Sequence, residues 1–210
     1  MAEYGQNTTQ VRANLDAIQN NYNNIVAKFI ADWEAFDSQM AVTWYSNTAK
    51  QQMQQFGEKI AGLFPGPTSN INEYFRNLID NIVSYQNSLA KAHNNPTISY
   101  SFSAQTPSFT TTVLDKRGDD FEGVIPENEE AAVQAFIKLV NDINESMAEI
   151  GSTATGFINE GVADQNFSTS INTNNETMGE IVTSVSNYMS SVFNEVSEAT
   201  KAKLNSISFQ

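Results

Sequence analysis

Residues 11–44 read VRANLDAIQNNYNNIVAKFIADWEAFDSQMAVTW, and this stretch decides the fold. Its large apolar residues recur at steps of three or four, which places them along one face of a helix. These positions are Val11, Leu15, Ile18, Tyr22, Ile25, Phe29, Trp33, Phe36, Met40 and Trp44. The stretch lacks glycine and proline, and its opposite face carries Asn, Gln, Asp and Lys. It is therefore predicted to form one long amphipathic helix whose apolar face must be covered by partner helices.

The composition of the 210-residue chain excludes several functions. Its 24 acidic and 11 basic residues give a formal net charge of −13, which disfavours binding to nucleic acids and to anionic membranes. Cysteine is absent, which excludes disulfides, thiolate catalysis and thiolate metal sites. No run approaches the roughly 20 apolar residues of a transmembrane helix, and no secretory signal peptide is recognisable at the start. The protein is therefore expected to be cytoplasmic, or secreted without a general secretory signal.

Two further helices are predicted to return antiparallel to the first. The polar residues 45–48 can end the first helix and cap the second, which Pro65-Gly66-Pro67 then ends. A third helix ends before Pro96, because the residue preceding a proline is disfavoured in the α conformation. The two apolar faces comprise Ala49, Met53, Phe56, Ile60 and Leu63, followed by Ile71, Phe75, Leu78, Ile82, Tyr85, Leu89 and Ala92. Residues 1–95 are thus predicted to form a first helical hairpin.

An alternation of apolar and hydroxyl residues replaces the helical period at residues 97–103 and resumes at residues 109–113. A period of two is typical of strands, and residues 104–108 between the two segments include Pro107. The pattern predicts a small β-hairpin, within a connector that spans residues 96–126. The apolar face of this hairpin would comprise Ile98, Tyr100, Phe102, Phe109 and Val113.

Residues 127–210 are predicted to form a second helical hairpin. The acidic residues Glu127, Glu129 and Glu130 favour the start of a long helix. Its apolar face then runs through Val133, Phe136, Val140, Ile143, Met147 and Ile150. The reversal is expected between Gly151 and Phe167, a last helix follows to Ala199, and residues 201–210 are expected to fray. The predicted fold class is mainly α, an antiparallel four-helix bundle of two long helical hairpins with a small β-hairpin connector, in one domain.

The polar residues do not form a catalytic or metal-binding pattern. His93, the single histidine, is interpreted as a solvated residue at a helix C-terminus. Asp115, Asp119, Asp120 and Glu122 lack the acidic spacing of a calcium loop, and carboxylates 129 and 130 are interpreted as part of a helix start. The protein is accordingly predicted not to be an enzyme, with no cofactor and no metal.

The junction of the first two helices resembles a known family. Trp44 lies at the predicted hairpin apex, the small residue Ser46 follows two places later, and Ala49 and Phe56 lie on the returning helix. This arrangement is similar to the Trp-Xaa-Gly (early-secreted-antigen-like) family of helical hairpins, which are exported by type VII secretion. The family normally has glycine at the position of Ser46.

The resemblance covers about the first half of the chain. The export signature of the family is a Tyr followed four places later by an acidic residue. It is not found, since the residue four places after Tyr188 is Val192. The resemblance implies hairpins that pair as dimers, export without a signal peptide, and a partner-binding or turn motif at Trp44, Ser46 and Phe56. A chain with two hairpins would resemble such a four-helix dimer in one polypeptide.

Two functions from different classes follow. The first is a non-enzymatic, secreted helical protein, a type VII substrate or partner-binding hairpin, which binds a protein partner or itself through its helical faces. The alternative is a component of a helical pore-forming toxin, in which residues 97–114 form a β-tongue that inserts into a membrane or contacts a partner. Bilayer-spanning strands need about 9–11 residues, more than residues 97–103 provide, so the hairpin is also expected to pack over one end of the bundle.

Overall fold

The computed structural model describes residues 8–65, 71–114, 122–159 and 198–207, with isolated positions between 176 and 190. The described part is mainly helical and includes one small antiparallel sheet, which confirms the predicted fold class at this level. Its elements are α1 (Thr8–Thr43), β1 (Trp44–Ser46), α2 (Asn47–Gly62), α3 (Ile71–Ala92), β2 (Glu122–Val124), α4 (Pro126–Asn159) and α5 (Glu198–Asn205).

Helix α1 is the central element of the described structure. Its predicted apolar face is buried, except that Val11 and Ile18 are only partly covered. The Phe36 ring lies 6.2 Å from the ring of Phe56 on α2 and 5.2 Å from that of Phe136 on α4, measured between centroids. Three helices therefore meet at one aromatic cluster near the C-terminal end of α1.

Helix α4 packs along α1 in the antiparallel direction. At one end, the Ile125 amide donates to the Thr43 carbonyl oxygen over 2.8 Å, and farther along the Lys28 ammonium lies 3.2 Å from the Asp142 carboxylate. The predicted apolar face of α4, from Val133 to Ile150, is buried. The first predicted helix and the long helix predicted to begin at residues 127–130 are therefore direct neighbours.

Helices α2 and α3 follow β1 and run back along α1, since the rings of Phe36, Phe29 and Tyr22 pack in turn against those of Phe56, Phe64 and Phe75. A backbone hydrogen bond joins the end of α2 to the start of α3, because the Ile71 amide donates to the Leu63 carbonyl oxygen over 2.9 Å. The prediction was wrong at Tyr85, which is 49% exposed, and at Ala92, which is also exposed. In the last turns of α3 the covered side is formed instead by Asn87, which is half-buried, and by Ala90, which is buried, and Tyr85 lies on the outer side.

The predicted β-hairpin in residues 97–113 is absent. These residues form one extended segment without strand pairing, here called the strap, which runs along α1 in the same direction as that helix. The alternation does report an extended backbone with one buried face, but the surface that buries it is helical. The small sheet is formed elsewhere, by β1 and β2, in the register Trp44 to Val124 and Ser46 to Glu122.

The end of the chain contradicts the expectation of a frayed tail over residues 201–205. Helix α5 buries Thr200 and Leu204 against α4, and the Lys203 ammonium contacts the Glu130 carboxylate. The predicted reversal beyond Asn159 and most of the apolar positions predicted for the last arm lie outside the described residues. Ala199, which was predicted on the apolar face of that arm, is described and is exposed, so the prediction was wrong there. In that arm the described residues Val182, Ser186 and Met189 are buried, at a helical spacing.

Candidate functional site: the hairpin apex and the strap

The apex of the first hairpin is a buried junction. Trp44 is fully buried and Ser46 is 1% exposed, and β1 joins the end of α1 directly to the start of α2. Tyr45 pairs with Gly123 of β2 on one side and forms a parallel bridge to Leu114 on the other. The apex is therefore tied to chain segments on both sides of residues 115–121.

The three residues predicted for the partner-binding or turn motif are all buried. Phe56 is 2% exposed and contacts Phe36 and Trp33 of α1, with ring centroids 6.2 and 5.6 Å away. Because Trp44, Ser46 and Phe56 are buried, their contacts lie within the chain, which suits a turn motif. The exposed apolar side chains near the apex are Val42, at 46%, and Leu114, at 52%.

Ser46 caps α2, and this contact yields a stability prediction. Its hydroxyl oxygen accepts from the Ala49 amide over 2.8 Å, which satisfies a first-turn donor. We expect Ser46→Ala to lower the free energy of unfolding by about 1 kcal/mol, and Ser46→Gly by only a few tenths, as for other N-caps. Urea denaturation measures both, and equal losses for the two variants would contradict the capping role.

Two amide side chains hold the first half of the strap by paired hydrogen bonds to its main chain. Asn87 of α3 donates to the Ile98 carbonyl oxygen over 2.9 Å and accepts from the Ile98 amide over 2.8 Å. Gln19 of α1 makes the same pair with Ser103, at 3.0 and 2.9 Å. Each amide group thereby replaces the neighbouring strand that an extended backbone would otherwise need.

The middle of the strap is bound at Gln105. The Gln105 amide donates to the Tyr22 hydroxyl over 2.6 Å, and the Gln105 carbonyl oxygen accepts from the Asn72 side chain over 2.9 Å. Tyr22 in turn donates to the Asn72 side-chain oxygen over 2.7 Å, so the two contacts belong to one network. Burial raises the pKa of Tyr22, which keeps the phenol protonated and able to donate.

The last part of the strap is bound by Trp33 and Asp37 of α1. The Trp33 indole N–H donates to the Thr110 carbonyl oxygen over 2.8 Å. The Asp37 carboxylate, in a residue that is 4% exposed, accepts from the Thr111 hydroxyl and from both the amide and the hydroxyl of Thr112, over 2.6 to 2.8 Å. A buried carboxylate is stabilised by such donors, so this contact fixes the strap at the level of the aromatic cluster.

The strap has an inner apolar side and an outer polar side. Ile98, Phe109 and Val113 are buried and Phe102 is half-buried, while Tyr100 is partly covered at the edge. The exposed side carries hydroxyl residues, namely Thr97, Ser99, Ser101, Ser103, Thr106, Ser108, Thr110 and Thr112. The five residues predicted for a membrane or partner tongue therefore lie along α1, and the most apolar of them face its helical neighbours.

Tyr100 gives the strap a pH dependence. The Tyr100 hydroxyl donates a hydrogen bond to the Asp16 carboxylate over 2.9 Å. Burial, together with this carboxylate, raises the pKa of Tyr100 from 10.0 to about 12. Because the pKa is higher in the folded chain, this contribution to stability is present below pH 10 and is lost as the pH rises through about 12. We expect Tyr100→Phe to lose stability less steeply than the parent over that interval, as measured by denaturation. Equal slopes would contradict the assignment, and Asp16→Asn, which keeps the burial, should fall between them.

A charged network crosses the α1–α4 interface on another side. The Lys138 ammonium contacts both Asp32 and Asp142, and Lys28 lies 3.3 Å from Glu145. Burial raises the pKa of the Asp32 carboxyl, although the Lys138 ammonium opposes that rise. Lys138 is largely exposed, and pairs of this kind contribute little to stability, so the network chiefly favours the antiparallel pairing of the two helices.

The remaining polar candidates are scattered. His93 is exposed at the end of α3, and residues 115–121 of the acidic loop lie outside the described residues. Glu129 is buried, and this burial raises the pKa of its carboxyl, whereas the neighbouring Glu130 pairs with Lys203. Within the described ranges, no three His, Cys, Asp or Glu side chains are grouped as a metal ion would require.

Sequence reasoning missed the side chains that bind the strap, above all Gln19, Asp37, Asn72 and Asn87. On a helix these polar residues flank the apolar face, and the period alone marks them as surface positions. Asn87 and Asn72 carry no spacing that distinguishes them from the other Asn residues of the chain. The only available signal was the alternation in residues 97–113, which requires some surface to cover its apolar side.

Comparisons with known protein families, with curated proteins and with solved structures find no match to this chain. In the part of the chain that the structure describes, no helix combines the length and the apolar character needed to cross a membrane. The proposals below therefore depend on the geometry of the apex and of the strap.

Proposed function

We propose that the protein is a non-enzymatic helical interaction protein, exported by a type VII route, which binds a protein partner or a second copy of itself. The observation that carries the proposal is the apex. Trp44, Tyr45 and Ser46 join two antiparallel helical arms, with the Trp side chain buried and the small residue capping the returning helix. This is the arrangement that the Trp-Xaa-Gly resemblance implies for the turn of an exported hairpin.

Export is tested in the producing bacterium, by measuring the protein in the culture medium with and without a functional type VII apparatus. When the apparatus is disabled, we expect the protein to be missing from the medium and to remain in the cells. Unchanged amounts in the medium would reject this route. A cytosolic marker protein, measured in parallel, separates export from cell lysis.

The role of the apex in export is tested with a matched pair of variants. Trp44→Phe alters the apex, whereas Trp33→Phe alters the other buried Trp, eleven residues earlier on α1. At equal amounts inside the cell, we expect the Trp44 variant to be exported less than the Trp33 variant. Equal export of the two would contradict a specific role of the apex.

The pore-forming alternative depends on a β-hairpin in residues 97–114, and the described chain has no such hairpin. Those residues form the strap, whose apolar side chains are directed at the helices. No observation in the described structure favours membrane insertion of this segment, so no second function is proposed.

A further inference from the structure

The surface beneath the strap is built to bind an extended main chain. This surface, here called the groove, is formed by α1, α2 and α3 and is lined by Gln19, Tyr22, Trp33, Gly57, Asn72 and Asn87. Five of these side chains make hydrogen bonds to main-chain atoms of Ile98, Ser103, Gln105 and Thr110. Because such bonds use groups that every extended peptide presents, they select a conformation rather than the outward-facing side chains.

The groove also fits its occupant closely at one point. At Gly57 of α2, a Cβ atom would lie 2.1 Å from the Phe109 carbonyl oxygen, so the strap main chain passes directly over a residue without a side chain. Phe109 is inserted beside Trp33 and Phe64, with ring centroids 5.9 and 6.4 Å away. The groove thus combines main-chain hydrogen bonds with places for apolar anchors at Ile98, Phe102, Phe109 and Val113.

The charge of the strap suits an occupant that comes from another copy. The chain has a formal net charge of −13, yet residues 94–114 contain no Asp, Glu, Lys or Arg. Two copies repel each other through most of their surfaces, but a strap that approaches a neighbouring groove adds no charge of its own. An extended, uncharged segment that is not paired with a neighbouring strand is also the type of segment that associates between chains.

We propose that the groove binds an extended polypeptide segment in trans, namely the strap of a second copy of this chain, in place of the strap that occupies it within one chain. The inference is independent of the export route, since it concerns only the contacts between the strap and α1–α3. Within one chain the tethered strap has a high effective concentration, so it competes strongly with any external segment. Exchange therefore requires that the resident strap be weakened or displaced.

The test uses the full chain and a fluorescently labelled synthetic peptide of residues 97–113 as the probe. In the protein, Phe109→Ser and Val113→Ser weaken the resident strap but leave the groove intact. Ser103→Pro, at an exposed position, is a second and milder variant that removes the amide bound by Gln19. Circular dichroism selects the variant that keeps the helical spectrum of the parent.

We expect the peptide to bind the strap-weakened variant at least tenfold more tightly than it binds the parent, as measured by fluorescence anisotropy. Adding Gln19→Ala and Asn87→Ala to the same variant should remove this gain, because both paired main-chain contacts are then lost. Equal, weak binding to the parent and to both strap-weakened variants would overturn the proposal.

Variants of the peptide test what the groove recognises. A peptide with Ser99 and Ser101 changed to Ala should bind as tightly as the parent peptide, because these side chains are exposed. Replacing Ile98 and Phe109 by Ser, or methylating the amide nitrogens of Ser103 and Gln105, should weaken binding at least tenfold. Binding that depends on the exposed hydroxyls and not on these amides would contradict recognition of the main chain.

Discussion

Trp33→Ala is expected to lower the free energy of unfolding by about 3–5 kcal/mol, the range for removing a large buried aromatic side chain. Trp33 is 2% exposed, and its ring packs edge-to-face against Phe36, Phe56 and Phe109, with centroids 5.6 to 6.2 Å away. The substitution removes the contacts that join α1, α2 and the strap, and it also leaves the Thr110 carbonyl oxygen without its indole donor.

Two variants separate these contributions. Trp33→Phe keeps most of the apolar contact but removes the hydrogen bond, so we expect a smaller loss of about 1–3 kcal/mol. Tyr85→Ala, at the exposed aromatic of α3, should change stability by no more than about 0.5 kcal/mol. Urea denaturation measures all three variants, provided that the dependence of the free energy of unfolding on urea concentration is unchanged. A decrease in the free energy of unfolding of less than about 1 kcal/mol for Trp33→Ala would contradict the central position of this side chain.

Gly57→Ala is expected to destabilise the protein by about 1–3 kcal/mol, although alanine is the better helix former. The added Cβ would lie 2.1 Å from the Phe109 carbonyl oxygen and 3.2 Å from the Phe109 Cβ. Since the closest atom belongs to the main chain, the strap must move away from α2, which withdraws the Phe109 ring from its contacts with Trp33 and Phe64.

Gly62 provides the matched control, because it ends the same helix and a Cβ there would meet no atom within 4 Å. Gly62→Ala is therefore expected to be neutral, or to stabilise the chain by up to about 1 kcal/mol. Thermal denaturation compares the two variants with the parent. The close approach of strap and helix would be refuted if Gly57→Ala proved as stable as Gly62→Ala.

The helices were predictable because their apolar period is long and unambiguous. The large apolar side chains buried on α1 from Leu15 to Met40 and on α4 from Val133 to Ile150 follow the sequence pattern. The same period failed at Tyr85, where a polar residue, Asn87, takes part in the covered face because it binds the Ile98 main chain. Periodicity records which residues are apolar and gives no weight to a half-buried side chain that makes hydrogen bonds.

The strap was not predictable as such, for a physical reason. Alternation in residues 97–113 indicates an extended backbone with one covered side, and both a β-hairpin and a segment lying on helices satisfy it. The choice depends on where the main-chain hydrogen bonds are made, and here they are made by Gln19, Tyr22 and Asn87. Those partners are separated from the strap by up to 84 positions in the sequence, so no local sequence pattern indicates them.

The apex was predictable in its outline but not in its partner. Polar residues after Trp44 indicated a reversal, and Ser46 does cap α2. The antiparallel pairing of Tyr45 with Gly123 was not expected, because a strand of three residues gives no period that can be recognised. The pairing brings the start of α4 to the apex and so sets the register of α4 along α1.

Native-state amide hydrogen exchange, followed by NMR, tests the strap most directly. The amides of Ile98, Ser103, Gln105 and Thr112 donate to side-chain acceptors on α1 and α3, so they are predicted to exchange slowly, with a nuclear Overhauser contact between the Trp33 indole proton and Thr110. The amides of the exposed Ser99 and Ser101 are predicted to exchange faster. Cross-strand contacts between the α-protons of residues 97–103 and residues 109–113 would instead establish a β-hairpin and contradict the strap.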